Sequence, residues 1–315
     1  MTGAILTALF FAANAVCARR AALHYGGTRG NFLRLLLAAA LLGAWAHAAG
    51  QGLAGGALAW FLVSGAIGFG LGGLAMFHAL PRIGSNLGML IVQCGMAVTG
   101  AVLEWLWLGA RLSAAQAGLA ALTLAGVVVA LLQPGIGPIG RIGPIPSRPS
   151  PAFLTGLALA AVSAFAQGAA AVISRKAFGA LRDGGFLMDP GTSAYQRVLG
   201  GLAVGALAML VIAVWPAAEP AAAAEPAPVP ARALPPWAWV ILNTLLGPVL
   251  GVTCYQWALR AAPAGVVLPI VATAPLFTVP IARALEHSRP SARFWIGAVV
   301  AVLGAAGLAY VTNVK

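Results

Sequence analysis

Long apolar segments, separated by short turns that carry Gly, Pro and Arg, follow one another along almost the whole chain. Segments of about 20 apolar residues suit helices that cross a lipid bilayer. All nine tryptophans lie near the ends of the proposed segments, where an indole ring can meet both lipid and water. The pattern predicts ten spans, at about Gly3–Ala18, Asn31–Ala49, Leu58–Leu80, Asn86–Leu108, Ala114–Leu132, Ala152–Ile173, Ser193–Trp215, Trp237–Leu259, Ala264–Leu285 and Phe294–Val311.

Two stretches of the chain resemble each other, which indicates a tandem duplication. Ala79–Val129 matches Ala258–Ala306, with 270 − 91 = 179 residues between the paired isoleucines, and NAVCARRA in the first span matches AAVISRKA in the sixth. We therefore predict a five-helix repeat at 1–133, a Pro/Gly-rich linker at 134–151 and a second five-helix repeat at 152–315, with a Pro/Ala-rich loop at 216–236. Because each half has an odd number of spans, the halves insert in opposite orientations, as inverted repeats of carriers do.

The amino-acid composition supports an all-α integral membrane protein and argues against a soluble or nucleic-acid-binding protein. Hydrophobic residues make up 61% of the chain and charged residues only 8%, so lipid must cover much of the apolar surface. The net charge of +12 lies mostly at span ends, where it meets lipid headgroups, and no basic run indicates nucleic-acid binding. The three cysteines are isolated in apolar segments, and motifs for catalysis, metal or ATP binding are absent, so no cofactor is expected.

Charged residues inside the spans are the first candidates for function, because a charge at the bilayer centre costs about 3 kcal/mol on translocon scales. Arg34 and Arg197 lie at related positions in the second and seventh spans. Each could receive a substrate carboxylate, or could extend to the lipid headgroups. Glu104, near the end of the fourth span, is a candidate for proton coupling; the alternative is an interfacial role or a pair with a basic residue at a span end.

Interrupted helices at corresponding positions of the two halves predict a binding site. Gln93 and Cys94 lie in the fourth span and Thr273 in the ninth, and the alternative for this group is close packing through small residues. Five more polar residues lie inside spans and could line the same cavity or only join helices by hydrogen bonds. The residues expected to break helices are Gly95, Gly100, Pro269, Pro275 and Pro280, and the five additional polar candidates are Asn14, Gln167, Asn243, Tyr255 and Gln256.

An asparagine-bearing first span, FLRLLLAAALL in the second, and LGARLSAAQ between the fourth and fifth resemble the EamA-type family of the drug/metabolite transporter superfamily. The chain departs from the family's LGER turn at Ala110, so the role of that glutamate does not carry over. The resemblance implies a ten-helix carrier in the cell membrane, in a bacterium the inner membrane, with cytoplasmic termini. It also implies export of small organic metabolites, such as amino acids or drug-like compounds, often coupled to protons.

The residues alone leave two other functions open: a membrane-embedded enzyme acting on lipid, and a passive channel or structural subunit. An enzyme would show His, Asp or Glu clustered at one interface, and a channel more typically builds its pore from several subunits. Basic residues at span ends slightly favour termini outside the cell, against the orientation that the resemblance implies. Substrate, direction and oligomeric state do not follow from the sequence.

Overall fold

The computed structural model describes residues 1–131, 150–215, 234–278 and 292–313, and these residues form helices and no strand. We number the helices α1 to α10 in chain order. Their bounds are Thr2–Tyr25, Gly27–Ala48, Leu58–Ile83, Ser85–Leu108, Ala114–Leu131, Pro151–Asp183, Pro190–Val214, Pro236–Ala261, Ala264–Thr278 and Ala292–Asn313.

Eight of these helices are long and apolar enough to cross a membrane, and α5 and α9 are shorter apolar helices within the described part of the chain. Large apolar side chains on the outside of the bundle, such as Leu207, Leu210, Val299 and Leu303, are more than half exposed. Water would not tolerate a continuous surface of this kind, whereas lipid does. The predicted all-α, multi-pass membrane protein is therefore confirmed, while the count of ten spans and their inverted arrangement stay predictions.

Glycine, proline and short polar side chains set the helix boundaries. Gly26 and Gly84 both have φ 78°, which reverses the chain between α1 and α2 and between α3 and α4. Ser150 and Asp189 accept backbone N–H groups at the starts of α6 and α7, each followed by proline in the first turn. Helix α6 runs to Asp183, ten residues beyond the predicted Ile173, because Arg175 finds an acidic partner inside the bundle.

Small residues bring the helices into close contact across the bundle. Helix α5 packs along α10, α3 along α6, α1 along α8, α2 along α7, and α4 along α6. A Cβ atom on Gly126 of α5 would lie 2.4 Å from the backbone nitrogen of Ala301 in α10, so these two backbones touch directly. In a membrane, where apolar side chains gain little by leaving lipid, such close backbone packing is a main source of association.

Two helices contain a π-helical segment, in α3 at Ala66–Gly72 and in α8 at Leu245–Val249. Pro248 lacks an N–H group, which explains the widened turn in α8. Helix α9 is α-helical only to Val271, makes a turn at 272–273 between two prolines, and is helical again at 274–278.

Helix α4, by contrast, is continuous through Gly95 and Gly100, which corrects the expected break there. These two glycines serve packing, because a Cβ on Gly95 would lie 2.8 Å from that of Ala164. Pro280 and most of the predicted linker at 134–151 and loop at 216–236 lie outside the described residues.

Candidate functional site

Two small adjoining cavities lie in the interior of the bundle. The first, which we call the Arg34 cavity, has a volume of about 50 Å³, and the second, the Arg197 cavity, about 30 Å³. Volumes of this size hold a few water molecules and no larger solute. Both cavities are lined by Phe11, Gly68, Phe69, Gln167 and Val252, so these residues form the partition between them.

Arg34 is held by its own helix and by one aromatic ring. Its side chain is 6% exposed, and Nε and Nη2 donate to Asn31 Oδ1 at 3.0 and 2.8 Å. The guanidinium lies 4.6 Å from the centre of the Phe77 ring, a favourable cation–π distance. A Cβ on Gly73 would lie 2.8 Å from Nη2, so the glycine provides the space that the guanidinium fills.

Arg197 is held by two other helices. It is 3% exposed, Nε donates to Ser64 Oγ in α3 at 2.9 Å, and Nη1 donates to Gln256 Oε1 in α8 at 3.1 Å. The guanidinium lies 5.0 Å from the Phe69 ring and 5.8 Å from the Tyr255 ring. The Tyr255 hydroxyl and Gln256 Nε2 are buried beside it without a hydrogen-bond partner among the described residues.

The π-helical segment of α3 links the surroundings of the two arginines through its backbone carbonyls. Within Ala66–Gly72, the Phe69 carbonyl accepts from Asn31 Nδ2 at 3.3 Å and the Gly72 carbonyl accepts from Ser163 Oγ at 2.8 Å. Backbone carbonyls that leave the regular helical pattern must find other donors inside a membrane. Asn31 therefore contacts both the guanidinium of Arg34 and the backbone that carries the Phe69 ring under Arg197.

The structure brings most of the predicted polar residues to this site. Gln93 lines the Arg34 cavity and donates to the Val271 carbonyl at 3.4 Å, where α9 leaves its helical pattern. Asn243 Nδ2 donates to Asn14 Oδ1 at 2.6 Å. The residues that line at least one of the two cavities are Asn14, Arg34, Gln93, Gln167, Arg197 and Tyr255, while Asn243 and Gln256 bond to residues of that set.

Two predicted residues lie elsewhere, and several residues of the site were not predicted. Cys94 packs against the cluster that contains Leu90 and Val127, and Thr273 Oγ1 donates to the Ile270 carbonyl at 2.7 Å, so neither lines these cavities. Sequence reasoning missed the partners of the arginines: Asn31, Ser64, Phe69 and Phe77. Only Asn31 carried a local signal, because it lies three residues before Arg34 on the same helical face.

Polar contacts close one end of the bundle, which we call the clasped end and define by Gln51, Glu104, Asp189 and Gly265. Glu104 is 2% exposed, and its Oε1 accepts from Arg175 Nε at 3.1 Å, the partnership that the sequence analysis gave as the alternative to proton coupling. Glu104 Oε2 accepts the backbone N–H of Gly265 at 3.0 Å, and Arg175 Nη1 donates to the Leu259 carbonyl at 2.7 Å. These bonds tie α4 and α6 to the end of α8 and the start of α9.

Asp189, at the start of α7, joins α7 at the clasped end to the end of α2 and to the segment that follows it. Its backbone N–H donates to Gln51 Oε1 at 3.0 Å, and its carboxylate accepts from the Thr192 hydroxyl and amide and from the Trp45 indole N–H. Burial by itself would raise the pKa of Asp189, but these hydrogen bonds outweigh it and lower the pKa below its usual value. The carboxylate is therefore ionised at neutral pH and caps α7.

The opposite end of the bundle, defined by the turns at Gly26 and Gly84, has fewer polar contacts among the described residues. Thr28 Oγ1 lies 3.1 Å from His78 Nε2, which joins the start of α2 to α3. The guanidinium of Arg20 lies 5.7 Å from the Trp239 ring, which joins α1 to α8.

A protein family and a solved structure each match nearly the whole chain. The model of the EamA-like transporter family matches residues 1–132 and 154–310. One solved crystal structure of a protein aligns with 99% of this chain and 98% of its own, at a TM-score of 0.69 and 18% identity, which shows likeness of fold alone. No curated protein matches the chain.

Proposed function

The chain belongs to the EamA-like transporter family, a family of drug/metabolite transporters, and we propose that it is a secondary carrier that exports small organic metabolites across a bacterial inner membrane. The observation that carries this proposal is the pair of adjoining cavities, each lined by one buried arginine, in the interior of a single chain. A lipid-modifying enzyme would place its polar groups at a membrane interface, whereas these lie inside the bundle.

Hydrogen bonds at related positions support the inverted five-plus-five arrangement. Ser163 Oγ in α6 donates to the Gly72 carbonyl in α3, and Thr7 Oγ1 in α1 approaches the Gly251 carbonyl in α8 at 3.3 Å. These two pairs are related by the offsets of the duplicated stretches, since 163 − 7 = 156 and 170 − 14 = 156, while 251 − 72 = 179 and 270 − 91 = 179. The first residues of the two π-helical segments also differ by 245 − 66 = 179.

A second pair of contacts follows the same rule. Ser64 Oγ donates to the Ala170 carbonyl at 2.7 Å, and Asn243 Nδ2 donates to Asn14 Oδ1 at 2.6 Å, with 243 − 64 = 179 and 170 − 14 = 156. Contacts between the first helix of one half and the third helix of the other are thus made twice. Such a pairing supports two repeats related by a pseudo-two-fold axis, with the cavities at the interface of the two halves.

The small size of the cavities supports a mechanism of alternating access. A metabolite cannot enter a volume of about 50 Å³ without separation of the helices around it. We propose that the two halves rock against each other, so that the clasped end opens when the opposite end closes. A cysteine pair introduced at Gln51 and Asp189, with Cys17, Cys94 and Cys254 replaced, tests this motion. Joining the pair with a short bifunctional reagent should stop transport, and undiminished flux after complete joining would exclude the mechanism.

Proton coupling is proposed to act through Glu104. Protonation would remove its ion pair with Arg175 and weaken its bond to Gly265, and both bonds hold the clasped end together. Imposing a pH gradient on proteoliposomes should drive accumulation with the native chain and should no longer do so with Glu104→Gln, while exchange without a gradient persists. Equal gradient-driven accumulation by both proteins would assign the coupling to another group.

The carrier itself is tested by counterflow in proteoliposomes. Purified protein is loaded with a panel of amino acids, organic acids, sugars, nucleosides and organic cations, and uptake of each labelled compound is followed. A carrier gives uptake that saturates and is competed by its own substrate class. Uptake that rises without saturation would indicate a channel, and the absence of exchange for the whole panel by folded protein would contradict the proposal.

A further inference from the structure

We infer that the substrate is a small organic carboxylate of net negative charge, bound by Arg34 and Arg197 as two alternative sites on either side of the partition. The inference rests on the proposed carrier function and names its substrate class. It follows from the charges, the unused hydrogen-bond donors and the depths of the two arginines.

The cavities carry positive charge that no described carboxylate balances. The described acidic residues are Glu104, which pairs with Arg175, Asp189, which caps α7, and Asp183 at the exposed end of α6. Arg34 and Arg197 are instead surrounded by amide and hydroxyl oxygens and by aromatic rings. Neutral oxygens and rings stabilise a buried cation only in part, and a bound anion would complete the neutralisation.

Hydrogen-bond donors in both cavities remain unused. Among the contacts of the described residues, none engages Nη1 of Arg34 or Nη2 of Arg197, and Gly68 leaves space beside the latter. The Tyr255 hydroxyl and Gln256 Nε2 are also buried without a partner in the part of the chain described. Guanidinium, phenol and amide N–H groups are the donors that recognise a carboxylate.

A positively charged group on the substrate would meet only neutral acceptors among the described residues, such as the amide oxygens of Gln93 and Gln167. The two carbonyls of the α3 π-helical segment with recorded side-chain bonds accept from Asn31 and Ser163, so they are already engaged. Both guanidinium groups would repel an ammonium group. The site therefore favours organic acids of net negative charge over zwitterionic amino acids and over cations.

The two arginines lie at different depths, which makes them successive sites. Arg34 follows the start of α2 at the opposite end by seven residues, and Arg197 follows the start of α7 at the clasped end by seven. At 1.5 Å per residue, each lies about 10 Å inside a different face of the bundle. Across a core about 30 Å thick, the two positions therefore differ in depth by about 10 Å, and the partition lies between them.

The first test compares acids with their amides. Thermal unfolding of the native chain in detergent is measured with lactate, succinate and benzoate and with the matching primary amides, and counterflow is measured with the same compounds as competitors. A carboxylate should raise the unfolding temperature and compete for exchange, and its amide should act roughly 10- to 100-fold more weakly, as expected for the loss of a hydrogen bond to a charged group. Amides that act as strongly as the acids would overturn the inference.

Variants of the two arginines test whether each of them binds the acid. Arg34→Gln and Arg197→Gln should each remove one of the two sites and lower the stabilisation by acids, the double variant should abolish it or weaken it roughly 10- to 100-fold, and the Lys replacements should retain part of it because the charge remains. Arg111→Gln removes an exposed arginine at the α4–α5 turn and should leave acid binding unchanged. If the Gln variants do not fold, the Lys variants and the acid–amide comparison on the native chain still decide the question.

Failure of this inference differs from failure of the carrier function. Saturable exchange of a sugar, a nucleoside or an amine, with no competition from acids, would establish the carrier and refute the anionic substrate class. Saturable exchange of a zwitterionic amino acid in preference to acids would do the same. Absence of saturable exchange for the complete panel would contradict the proposed function itself.

Discussion

Replacing Glu104 by glutamine removes a charge from the contacts that join α4, α6, α8 and α9. The loss of unfolding free energy can be estimated from the structure. Glu104 is 2% exposed, and its carboxylate accepts from Arg175 and from the Gly265 backbone. Removing one partner of a buried ion pair costs about 3–5 kcal/mol, because the remaining charge is left uncompensated. The glutamine oxygen can still accept from Gly265, so we expect the lower value, about 3 kcal/mol of unfolding free energy.

Unfolding in mixed micelles, followed by helical circular dichroism, measures this loss. The control is Asp183→Asn, which makes the same chemical change at an exposed carboxylate of α6 and should alter the unfolding free energy by less than about 0.5 kcal/mol. In a double-mutant cycle with Arg175→Gln, we expect a coupling of about 1.5–3 kcal/mol between the two positions. A coupling near zero, or a loss no larger than that of the control, would refute the assigned role of the pair.

Three further changes test other parts of the structure. Gly126→Val should destabilise the protein by at least about 1–3 kcal/mol in the same unfolding assay, because its side chain would force the α5 and α10 backbones apart, whereas Gly118→Ala faces open space and should be neutral or stabilise the helix by up to about 1 kcal/mol. Gly73→Ala should displace Arg34 and reduce saturable exchange while the helical content is retained. The Asp189 carboxylate, whose pKa is lowered by folding, stabilises the clasped end above its unfolded pKa of about 4, and this contribution disappears as the pH falls through the lower folded pKa. Protection of the amides at 49–57 against hydrogen exchange, relative to the intrinsic rate at each pH, should therefore fall in acid and should already be low at neutral pH in Asp189→Asn.

The sequence predicts the helices of this protein well because the local pattern is strong. Apolar segments, glycine turns and proline starts each act within a few residues, and the structure follows them in most elements. The length of α6 is an exception with a clear cause. The pattern ends near Ile173 because Arg175 and Lys176 follow, but Arg175 is tolerated inside the bundle through Glu104, which is 71 positions away in the chain.

The surroundings of the arginines could not be predicted, since they depend on contacts between distant helices. Arg197 bonds to Ser64 and Gln256, which are 133 and 59 positions away, and a single sequence does not fix which faces of three helices meet. The π-helical segment in α3 also lacked an unambiguous signal. The glycine-rich sequence GFGLGG at 68–73 is typical of close helix packing, which is present, but the widened turn depends as well on donors from α2 and α6.

Helices α2 and α7 each carry one buried arginine, but the two are held differently, and this difference has a mechanical consequence. Arg34 bonds to Asn31 of its own helix, so that contact survives any rigid movement of α2. Arg197 in α7 bonds to Ser64 in α3 and Gln256 in α8, so movement of α7 against either helix breaks a bond of the guanidinium. A buried guanidinium that loses such a bond needs another acceptor, and a carboxylate in the Arg197 cavity can supply it. In the proposed carrier, an anion would therefore stabilise the separated helices around Arg197 more than those around Arg34, which would couple substrate binding to opening of the clasped end.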